Sequence, residues 1–354
     1  MSISIIQRSS FGNADVRIME KIDFVMIWVD GSDPEWRKQF NLYAGKTDAE
    51  SDTREERYRD WDNLRYWFRG VEKYAPWVNR IHFVTCGQIP EWLNLDNPKL
   101  HFVKHSDYIP EKYLPTFSSH PIEINMHQIE GLSDKFVYFN DDCFFINEVK
   151  PERFFKKGLP CERVGCPIYF PDEFLHAHHI LTNNTWCINQ HFSKKECIRK
   201  HFFKWFSLNY IKHPRCMLQT LLLLPYSKFS RFSEPHFPNS FLKATLEEVW
   251  EKCSDILEET SASRFRELGN VNQWLFRDWQ IAKGDFYPYD VYKDSICYEL
   301  CDENIPQVVS TIRSQRKNII VMNDSAQIRS FDVAKKAINS ALDAILPEKC
   351  SFEK

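Results

Sequence analysis

Short runs of hydrophobic residues recur along the N-terminal half of the chain, and they end in acidic or turn-forming residues. The first run, Asp23–Asp30 (DFVMIWVD), is followed by the turn sequence GSDP, and later runs lie at Arg80–Thr85, Lys99–His105 and Lys135–Phe139. Uninterrupted apolar runs of this length are typical of strands that are covered on both faces. The pattern therefore predicts four buried strands.

Segments with helical spacing alternate with these runs. Asn63–Tyr74 and Ile122–Glu130 are predicted helices. An alternation of strands and helices favours an α/β fold, with an open, mainly parallel sheet that is flanked by helices on both faces. Further along, the pattern predicts a late strand at Asn318–Met322. It also predicts helices at Asn239–Glu259, Asn270–Ala282 and Asp332–Ile345.

The predicted domain organisation is a loose N-terminal arm over residues 1–21, followed by one domain over residues 22–354. A change of pattern at about 172–235 predicts an inserted subdomain that is helical and rich in aromatic residues. Within it, residues 194–232 are basic and aromatic. This composition fits either an interfacial surface that contacts a membrane or ordinary packing of the subdomain.

The inserted segment opens with the polar sequence HAHHILTNNTWCINQHF, which contains His176, His178 and His179. Histidine clusters have some metal-ligand character. Because no cysteine or carboxylate lies at a suitable spacing, we interpret this segment as an irregular loop or a feature that contacts the acceptor.

Composition narrows the possible functions. Of 354 residues, 43% are hydrophobic and 27% are charged, which is typical of a globular protein, and the net charge of −3 argues against bulk binding of nucleic acid. The 10 glycines form neither a Walker nor a GxGxxG pattern. The 11 cysteines form no CxxC pair and are expected to be reduced thiols. No apolar run reaches the ~20 residues of a membrane-spanning helix. We therefore expect a cytoplasmic protein, either free or peripheral at the inner face of the cell membrane.

Carboxylates follow two of the predicted strands. Asp30 and Asp33 come after the first strand, and Asp141 and Asp142 come after the fourth. Ligands of open α/β sheets bind at the carboxyl ends of the strands. Two adjacent carboxylates repel each other unless a cation neutralises them, and Mg²⁺ or Mn²⁺ takes oxygen ligands that also include substrate phosphates. Asp141 and Asp142 therefore indicate either a metal site or an exposed acidic turn.

The first acidic pair has two interpretations as well. Gly31 permits a tight turn between the two carboxylates, and Pro34 suits the first position of a helix. Asp30 and Asp33 are predicted either to hold the ribose or base of a nucleotide or to form a capped turn, with Asp33 as the N-cap.

Three further positions have side chains suited to catalysis or phosphate binding. His236 lies between two prolines, which restrict the backbone around the imidazole, so it is either a catalytic or a structural histidine. Arg264 and Arg266 carry the planar donors that clamp phosphate oxygens, although arginines are also common at surfaces. Asn323 and Asp324 follow an apolar run and offer another carboxylate at the end of a strand.

Four ordered blocks of this sequence closely resemble those of the Stealth family, which comprises bacterial capsular polysaccharide phosphotransferases and the catalytic subunit of the animal N-acetylglucosamine-1-phosphotransferase. The first block is DFVMIWVDGSDPEW and the second extends from RYRDWDNLRYWFRG to KFVYFNDDCFF. The third extends from EPHFPNSFLKATLEEVW to SRFRELGNVNQWLF, and the fourth is RKNIIVMNDS. The resemblance covers about residues 22–345, and four blocks in order make it highly specific.

This resemblance implies a Rossmann-like core of the GT-A glycosyltransferase type and a divalent metal, Mg²⁺ or Mn²⁺. It implies catalytic roles for His236, Arg266 and Asp142, with Arg264 as a second arginine. It also implies metal ligation by Asp141, Asp142 and Asp324. Contacts with the substrate are expected from Asp30, Gly31, Asp33, Arg65, His120 and Asn140.

The function implied by the resemblance is transfer of a sugar 1-phosphate, often N-acetylglucosamine 1-phosphate, from a UDP-sugar to a hydroxyl of a glycan or lipid-linked glycan. The reaction would release UMP and serve the synthesis of a capsular or cell-surface polysaccharide. One alternative is a conventional metal-dependent glycosyltransferase of the GT-A type, which would release UDP. Another is a non-catalytic, membrane-associated assembly protein. The sugar, the acceptor and the oligomeric state are left open.

Overall fold

A computed structural model describes residues 21–45, 58–168 and 176–354. Apart from Lys21, the predicted N-terminal arm over residues 1–21 lies outside the described residues. The first part of the predicted insertion, residues 172–175, lies outside them too.

Strands and helices follow one another throughout the described part of the chain. The strands are β1 (Ile22–Ile27), β2 (Ile81–Thr85), β3 (Leu100–Lys104), β4 (Lys135–Phe139), β5 (Cys143–Phe145), β6 (Phe155–Lys156), β7 (Leu159–Glu162), β8 (Asn239–Leu242), β9 (Tyr287–Pro288), β10 (Ser295–Glu299) and β11 (Ile319–Asn323). The helices are α1 (Pro34–Ala44), α2 (Leu64–Tyr74), α3 (Ser119–Ile124), α4 (His176–His191), α5 (Lys194–Lys200), α6 (Phe202–Trp205), α7 (Arg215–Leu222), α8 (Lys243–Lys252), α9 (Ser254–Ala262), α10 (Trp274–Lys283), α11 (Ile305–Ser314) and α12 (Phe331–Ile345).

The central sheet has the strand order β3-β2-β1-β4-β8. Its first four strands are parallel, and β8 is antiparallel to β4. These four strands are the four that the apolar runs predict, so the predicted mainly parallel α/β sheet is confirmed. The chain places β2 and β3 on one side of β1 and β4 on the other, and a crevice opens where the strand order reverses in this way.

Both faces of the central sheet are buried because successive side chains of a strand point to opposite faces. Phe24 and Met26 of β1 pack into one core together with α2 and α12. Val25, between them, packs into a second core together with Tyr138 of β4 and residues of α10. Because both faces of such a strand contact apolar cores, successive residues are all apolar. This explains the continuous apolar runs.

Two smaller sheets extend the fold. One has the order β10-β11-β5, with β11 antiparallel to β5, and the other has the order β6-β7-β9. The predicted late strand at Asn318–Met322 is therefore confirmed as β11, but it belongs to the smaller sheet. Only residues 140–142 separate β4 from β5, so the two sheets meet at the carboxyl end of β4.

Three predicted helices have different bounds from those expected; among them, the helix predicted from Asn270 begins only at Trp274. The helix predicted at Ile122–Glu130 begins earlier and ends at Ile124, because the side chain of Asn125 donates a hydrogen bond to the carbonyl of Pro121 (2.8 Å) and a separate 3₁₀ turn follows. The helix predicted from Asn239 begins only at Lys243. Its first four residues form β8 instead, since pairing with β4 outweighs the local helical pattern.

The interpretation of the polar histidine segment as an irregular loop is wrong, because this segment forms helix α4. Its polar residues are used in hydrogen bonds of the helix and its neighbours. Thr185 donates to the carbonyl of Leu181 (2.8 Å), and the amide of Asn184 donates to Asn272 (2.9 Å). The polar residues of this helix therefore form contacts with a segment that lies far away in the chain, and local sequence does not reveal such contacts.

The structure describes no helix that combines the length and the hydrophobicity needed to cross a membrane. All 11 cysteines fall within the described residues, and each is a free thiol.

A buried ion pair fastens α10 to β7. Arg277, which is fully buried, donates from Nε to Glu162 (2.7 Å) and from Nη2 to the carbonyl of Arg163 (2.8 Å). Removing one partner of such a pair leaves an uncompensated charge in the interior, which is more costly than the net stability that the pair provides.

We predict that Arg277→Met lowers the free energy of unfolding by about 3–5 kcal/mol, because Glu162 is then buried without its partner. The matched control is Lys252→Met, which removes a surface ion pair with Glu251 (3.0 Å) and should change stability by no more than about 1 kcal/mol. Urea-induced unfolding of the two variants measures both values. Similar losses in both would show that Arg277 does not compensate Glu162.

Candidate functional site

The carboxyl end of β4 leads into the turn Asn140–Asp142, where the central sheet meets the smaller one. The turn is closed by a hydrogen bond from the amide of Cys143 to the carbonyl of Asn140 (3.2 Å). The carbonyl of Asp142 accepts a hydrogen bond from the amide of Met322 in β11 (2.9 Å). This contact places the end of β11, and with it Asp324, beside the acidic turn.

His236 contacts Asp142 directly, with Nε2 2.8 Å from Oδ2. The sheet explains this contact. Because β8 runs antiparallel to β4, with Asn239 opposite Tyr138, the chain that enters β8 lies beside the chain that leaves β4. The structure thus brings into contact two residues for which the family resemblance implies separate catalytic roles. The imidazole is 31% exposed, so it is accessible to a substrate.

The two partners shift each other's protonation. Burial alone would raise the pKa of Asp142, but the charge of His236 and its hydrogen bond hold the pKa of Asp142 below the ordinary value. Burial alone would lower the pKa of His236, but Asp142, and more weakly the carboxylate of Glu123, raise the pKa of His236. The pair is therefore stabilised in its charged form.

Asp141 has a different environment, although it is adjacent in sequence. Its side chain is exposed at the surface of the crevice. The surrounding protein displaces much of its solvent, and the charges of Asp142, Asp60 and Asp324 repel its own charge. Together these effects raise the pKa of Asp141 to about 7. The repulsion among these carboxylates would be relieved by a cation.

Asp324 is held by residues that the sequence analysis did not select. Arg59 donates two hydrogen bonds to its carboxylate, from Nη2 to Oδ1 (2.6 Å) and from Nε to Oδ2 (3.0 Å), and Trp61 donates a third to Oδ2 (3.2 Å). Burial raises the pKa of Asp324, although Arg59 opposes this shift. Arg59 lies 265 residues from Asp324 in the chain, so no local motif could indicate this pairing.

A buried polar group behind His236 was also missed. Glu123 of α3 is 4% exposed, and its Oε1 lies 3.2 Å from the hydroxyl of Tyr138. The same hydroxyl lies 2.6 Å from Oδ1 of Asn140, so it fixes the orientation of that predicted substrate-binding side chain. The amide of Gln273 donates to the other oxygen of Glu123 (3.3 Å). A single glutamate in an apolar helix carries no sequence signal for such a role.

The two predicted arginines have different surroundings. Arg266 donates to the hydroxyl of Ser119 (3.1 Å), and its charge acts against protonation of His236. Arg264 instead donates to the carbonyl of Pro115 (2.7 Å) and packs its guanidinium 4.8 Å from the ring centre of Tyr43. Arg266 therefore lies close enough to His236 for their charges to interact, whereas Arg264 stabilises the loop before α3.

The loop after β1 borders the same negative region. Asp33 accepts hydrogen bonds from the amides of Glu35 (2.8 Å) and Trp36 (3.2 Å), so its role as the N-cap of α1 is confirmed. The charge of Asp30 helps to raise the pKa of Asp60, for which burial is the largest cause. Since Asp60 in turn acts on Asp141, the loop after β1 is electrostatically connected to the acidic turn.

The side chain of Gln88 joins the ends of β1 and β2. Its Oε1 accepts from the amide of Asp30 (2.9 Å), and its amide donates both to the carbonyl of Asp30 (2.9 Å) and to the carboxylate of Asp33 (3.1 Å). This network fixes the position of the loop that was predicted to hold the nucleotide.

The two remaining predicted substrate residues differ in position. His120 is 2% exposed, and its Nδ1 lies 3.5 Å from Oδ1 of Asn270; it follows Ser119, the partner of Arg266. Arg65 lies 3.6 Å from Asp62, and its guanidinium is 5.8 Å from the ring centre of Trp92. These contacts place Arg65 on the outer side of α2 and leave its predicted role in substrate binding untested.

The carboxylates of this region fit a divalent cation. In the part of the chain that the structure describes, no group of three or more His, Cys, Asp or Glu side chains already converges as a metal cluster. Asp142 is engaged with His236 and Asp324 with Arg59. Asp141 is exposed, and Mg²⁺ and Mn²⁺ prefer carboxylate oxygens. The charges of Asp142 and Asp324 lie close enough to act on Asp141.

The chain is similar in sequence or fold to several known proteins. A family model described as "Stealth protein CR2, conserved region 2" matches residues 57–161. The chain is 40% identical to the capsular polysaccharide phosphotransferase WcwK of Streptococcus pneumoniae over 95% of this chain and 99% of that protein. It is 41% identical to the receptor polysaccharide phosphotransferase WefC of Streptococcus gordonii over 95% of this chain and 100% of that protein. Among solved structures, the galactosyltransferase LgtC in complex with donor and acceptor sugar analogues is similar over 90% of this chain and 95% of that chain, with 10% identity and a TM-score of 0.40. That similarity is too remote to support an argument about function.

Gly31 is required by a close approach of two loops. A Cβ atom at this position would lie 2.0 Å from the carbonyl oxygen of Tyr58, which is backbone and cannot move alone. We predict that Gly31→Ala displaces the segment that carries Arg59 and lowers the free energy of unfolding by about 1–3 kcal/mol. The measurement is urea-induced unfolding.

The matched control is Gly45→Ala at the end of α1. Its Cβ would meet only the carbonyl of Asn41 at 3.6 Å, and its φ of −68° suits alanine. This variant should be unchanged or more stable by up to about 1 kcal/mol. Equal stability of the two alanine variants would show that the loop beside Tyr58 tolerates a side chain.

Proposed function

Because the chain belongs to the Stealth family, we propose that it transfers a sugar 1-phosphate from a UDP-sugar, a UDP-N-acetylhexosamine in our proposal, to a hydroxyl of a glycan acceptor. The relatives named as polysaccharide phosphotransferases match over almost their whole length, which supports the reaction class. The observation that carries the proposal is the contact between His236 and Asp142 beside the exposed carboxylate of Asp141. A base and a negative site for a cation are what phosphoryl transfer from a diphosphate requires.

In the proposed reaction, the acceptor oxygen attacks the β-phosphorus of the UDP-sugar. A new bond forms between this oxygen and the phosphorus, and the bond from the phosphorus to the bridging oxygen of the diphosphate breaks. The electron pair of the broken bond leaves with UMP. The hydroxyl proton goes to the enzyme, and the product is a phosphodiester between acceptor and sugar.

His236 is the proposed general base. Since the ionised carboxylate of Asp142 accepts the hydrogen bond from Nε2, the neutral ring carries its lone pair on Nδ1, which is then the nitrogen that receives the proton. Asp142 fixes the ring and stabilises the imidazolium that forms. The raised pKa of His236 has this same cause. General base catalysis of this kind contributes typically ~10²–10⁴-fold.

Arg266 is the proposed partner of the phosphate oxygens. Its planar donors suit a tetrahedral phosphate, and its contact with Ser119 holds the guanidinium near His236. In the proposal, Asp141 holds Mg²⁺ or Mn²⁺ together with Asp142 and Asp324. When bound, this ion neutralises charge on the diphosphate. Arg59 holds the carboxylate of Asp324 in place through two hydrogen bonds.

The donor is proposed to lie along the carboxyl ends of β1 and β4. The loop of Asp30, Gly31 and Asp33 would contact the nucleotide, and Asn140 would contact the diphosphate or sugar. His120 and Arg65 remain predicted contacts with the substrates, and Arg264 remains the second predicted catalytic arginine. The acceptor is a glycan or a lipid-linked glycan, and the product serves a capsular or other cell-surface polysaccharide.

We predict that His236→Ala lowers turnover by roughly 10²–10⁴-fold while the affinity for the UDP-sugar is retained, because the base acts on the acceptor hydroxyl. Turnover is followed with a panel of UDP-sugars and Mg²⁺ or Mn²⁺ by identifying the nucleotide released, and donor affinity by calorimetry. The control is His191→Ala, at the exposed end of α4. Release of UDP in place of UMP would identify a conventional glycosyltransferase and overturn the proposed reaction, and full activity of His236→Ala would remove the histidine from this role.

We also predict that Asp141→Asn abolishes binding of Mn²⁺, because the substitution removes an exposed carboxylate that lies close to the charges of Asp142 and Asp324. Electron paramagnetic resonance of Mn²⁺ titrated into the protein measures binding without the need for an active acceptor. The control is Asp96→Asn in the exposed loop before β3, which should bind Mn²⁺ as the unaltered protein does. Unchanged binding by Asp141→Asn would place the ion elsewhere.

A further inference from the structure

The segment between α5 and β8 has an unusually exposed apolar surface. Fifteen large hydrophobic side chains are exposed among the described residues, and eight of them lie within the 25 residues 202–226. Phe203 is 86% exposed, Leu208 81% and Leu222 68%. The full set is Phe202, Phe203, Leu208, Ile211, Leu218, Leu221, Leu222 and Tyr226. We refer to these side chains as the apolar surface. A concentration of this kind marks an interaction site.

Helical geometry explains why this surface faces away from the protein. Helix α7 buries Cys216 and Thr220, which are four residues apart and therefore lie on one side of the helix. Leu218, Leu221 and Leu222 have the spacing i, i+3 and i+4, so they share another side, which is exposed. The helix is thus anchored by small residues, while its large apolar residues face outwards.

The same segment is strongly basic. Residues 194–232 contain nine lysines and arginines against one glutamate, a net charge of +8, whereas the whole chain has a net charge of −3. Lys200 and Lys212, which lie among the apolar residues in sequence, are exposed. A second copy of this chain that presented the same surface would be repelled, whereas an anionic surface would be attracted.

A pocket of about 660 Å³ lies next to the basic segment in the fold. His213 and Arg215, at the beginning of α7, line it together with Cys297 of β10. Burial, and after it the charge of Asp142, raise the pKa of the Cys297 thiol.

We propose that the exposed side of residues 199–228 docks this protein onto an anionic lipid membrane, with the apolar surface at the level of the headgroups and the neighbouring lysines and arginines on the lipid phosphates. Interfacial segments combine apolar and basic residues in this way. The proposed docking does not depend on the proposed function.

The test is sedimentation of the full chain with vesicles, which needs no active substrate. The vesicles are phosphatidylcholine mixed with phosphatidylglycerol, or phosphatidylcholine alone. Binding is expected only to the anionic vesicles and should weaken as salt is added. The double variant Phe203→Glu/Leu222→Glu is expected to lose sedimentable binding. Lys200→Gln/Lys212→Gln should bind roughly thirtyfold more weakly, because each basic charge near such a surface strengthens binding about fivefold.

The matched control is Val333→Glu, which places a charge on an exposed apolar residue (70%) of α12 and should bind as the unaltered protein does. Thermal unfolding verifies that each variant is folded, and each variant should release nucleotide from a UDP-sugar at the rate of the unaltered protein when a soluble acceptor is used.

Failure of the unaltered chain to bind anionic vesicles, or equal binding by the double glutamate variant, would overturn the proposal. Light scattering gives one more outcome: a dimer that Phe203→Glu/Leu222→Glu dissociates, without vesicle binding, would identify the surface as a contact between copies of this chain. If the unaltered chain binds anionic vesicles but shows no turnover of any UDP-sugar, the proposed function is wrong and the docking proposal stands.

Discussion

The antiparallel pairing of β8 with β4 is the constraint on which the candidate active site depends. A parallel strand in the same position would begin at the amino end of β4. His236, which precedes the strand, would then lie away from the acidic turn at the carboxyl end. Because β8 is antiparallel, His236 enters beside the residues that leave β4, and it lies 2.8 Å from Asp142 although 94 residues separate the two in sequence. The orientation of this edge strand therefore brings the imidazole of His236 into contact with a carboxylate at the end of β4.

The carboxylates around this pair are stabilised by different means, and the difference assigns their roles. Asp142 has the imidazole of His236, and Asp324 has the guanidinium of Arg59 and the indole of Trp61. Burial, and after it the charges of Asp142, Asp60 and Asp324, raise the pKa of Asp141 to about 7. A site that gathers several carboxylates in this way is suited to a divalent cation.

How much the sequence could predict depended on whether a feature is local. The four parallel strands were predicted within one to three residues, because burial on both faces leaves a continuous apolar run that neighbouring residues reveal. Asp141 and Asp142 could be selected because they follow such a run directly. Arg59 and Glu123 could not, since their roles arise from partners that lie far away in the chain. Helix α4 was missed because its polar residues bond to a distant segment, and β8 was read as helix because its pairing with β4 is not local.

The distribution of charge explains how a protein with a net charge of −3 could still associate with an anionic surface. Residues 194–232 carry a net charge of +8, which leaves −11 on the remainder, including the carboxylates around Asp141. At physiological salt, charges separated by more than about 8–10 Å hardly interact through water. An approaching anionic surface therefore interacts with the charges of the face that it contacts, and the net charge of the whole chain has little influence. The opposite charges of the basic segment and of the acidic site can therefore coexist in one fold, and each acts mainly on what lies next to it.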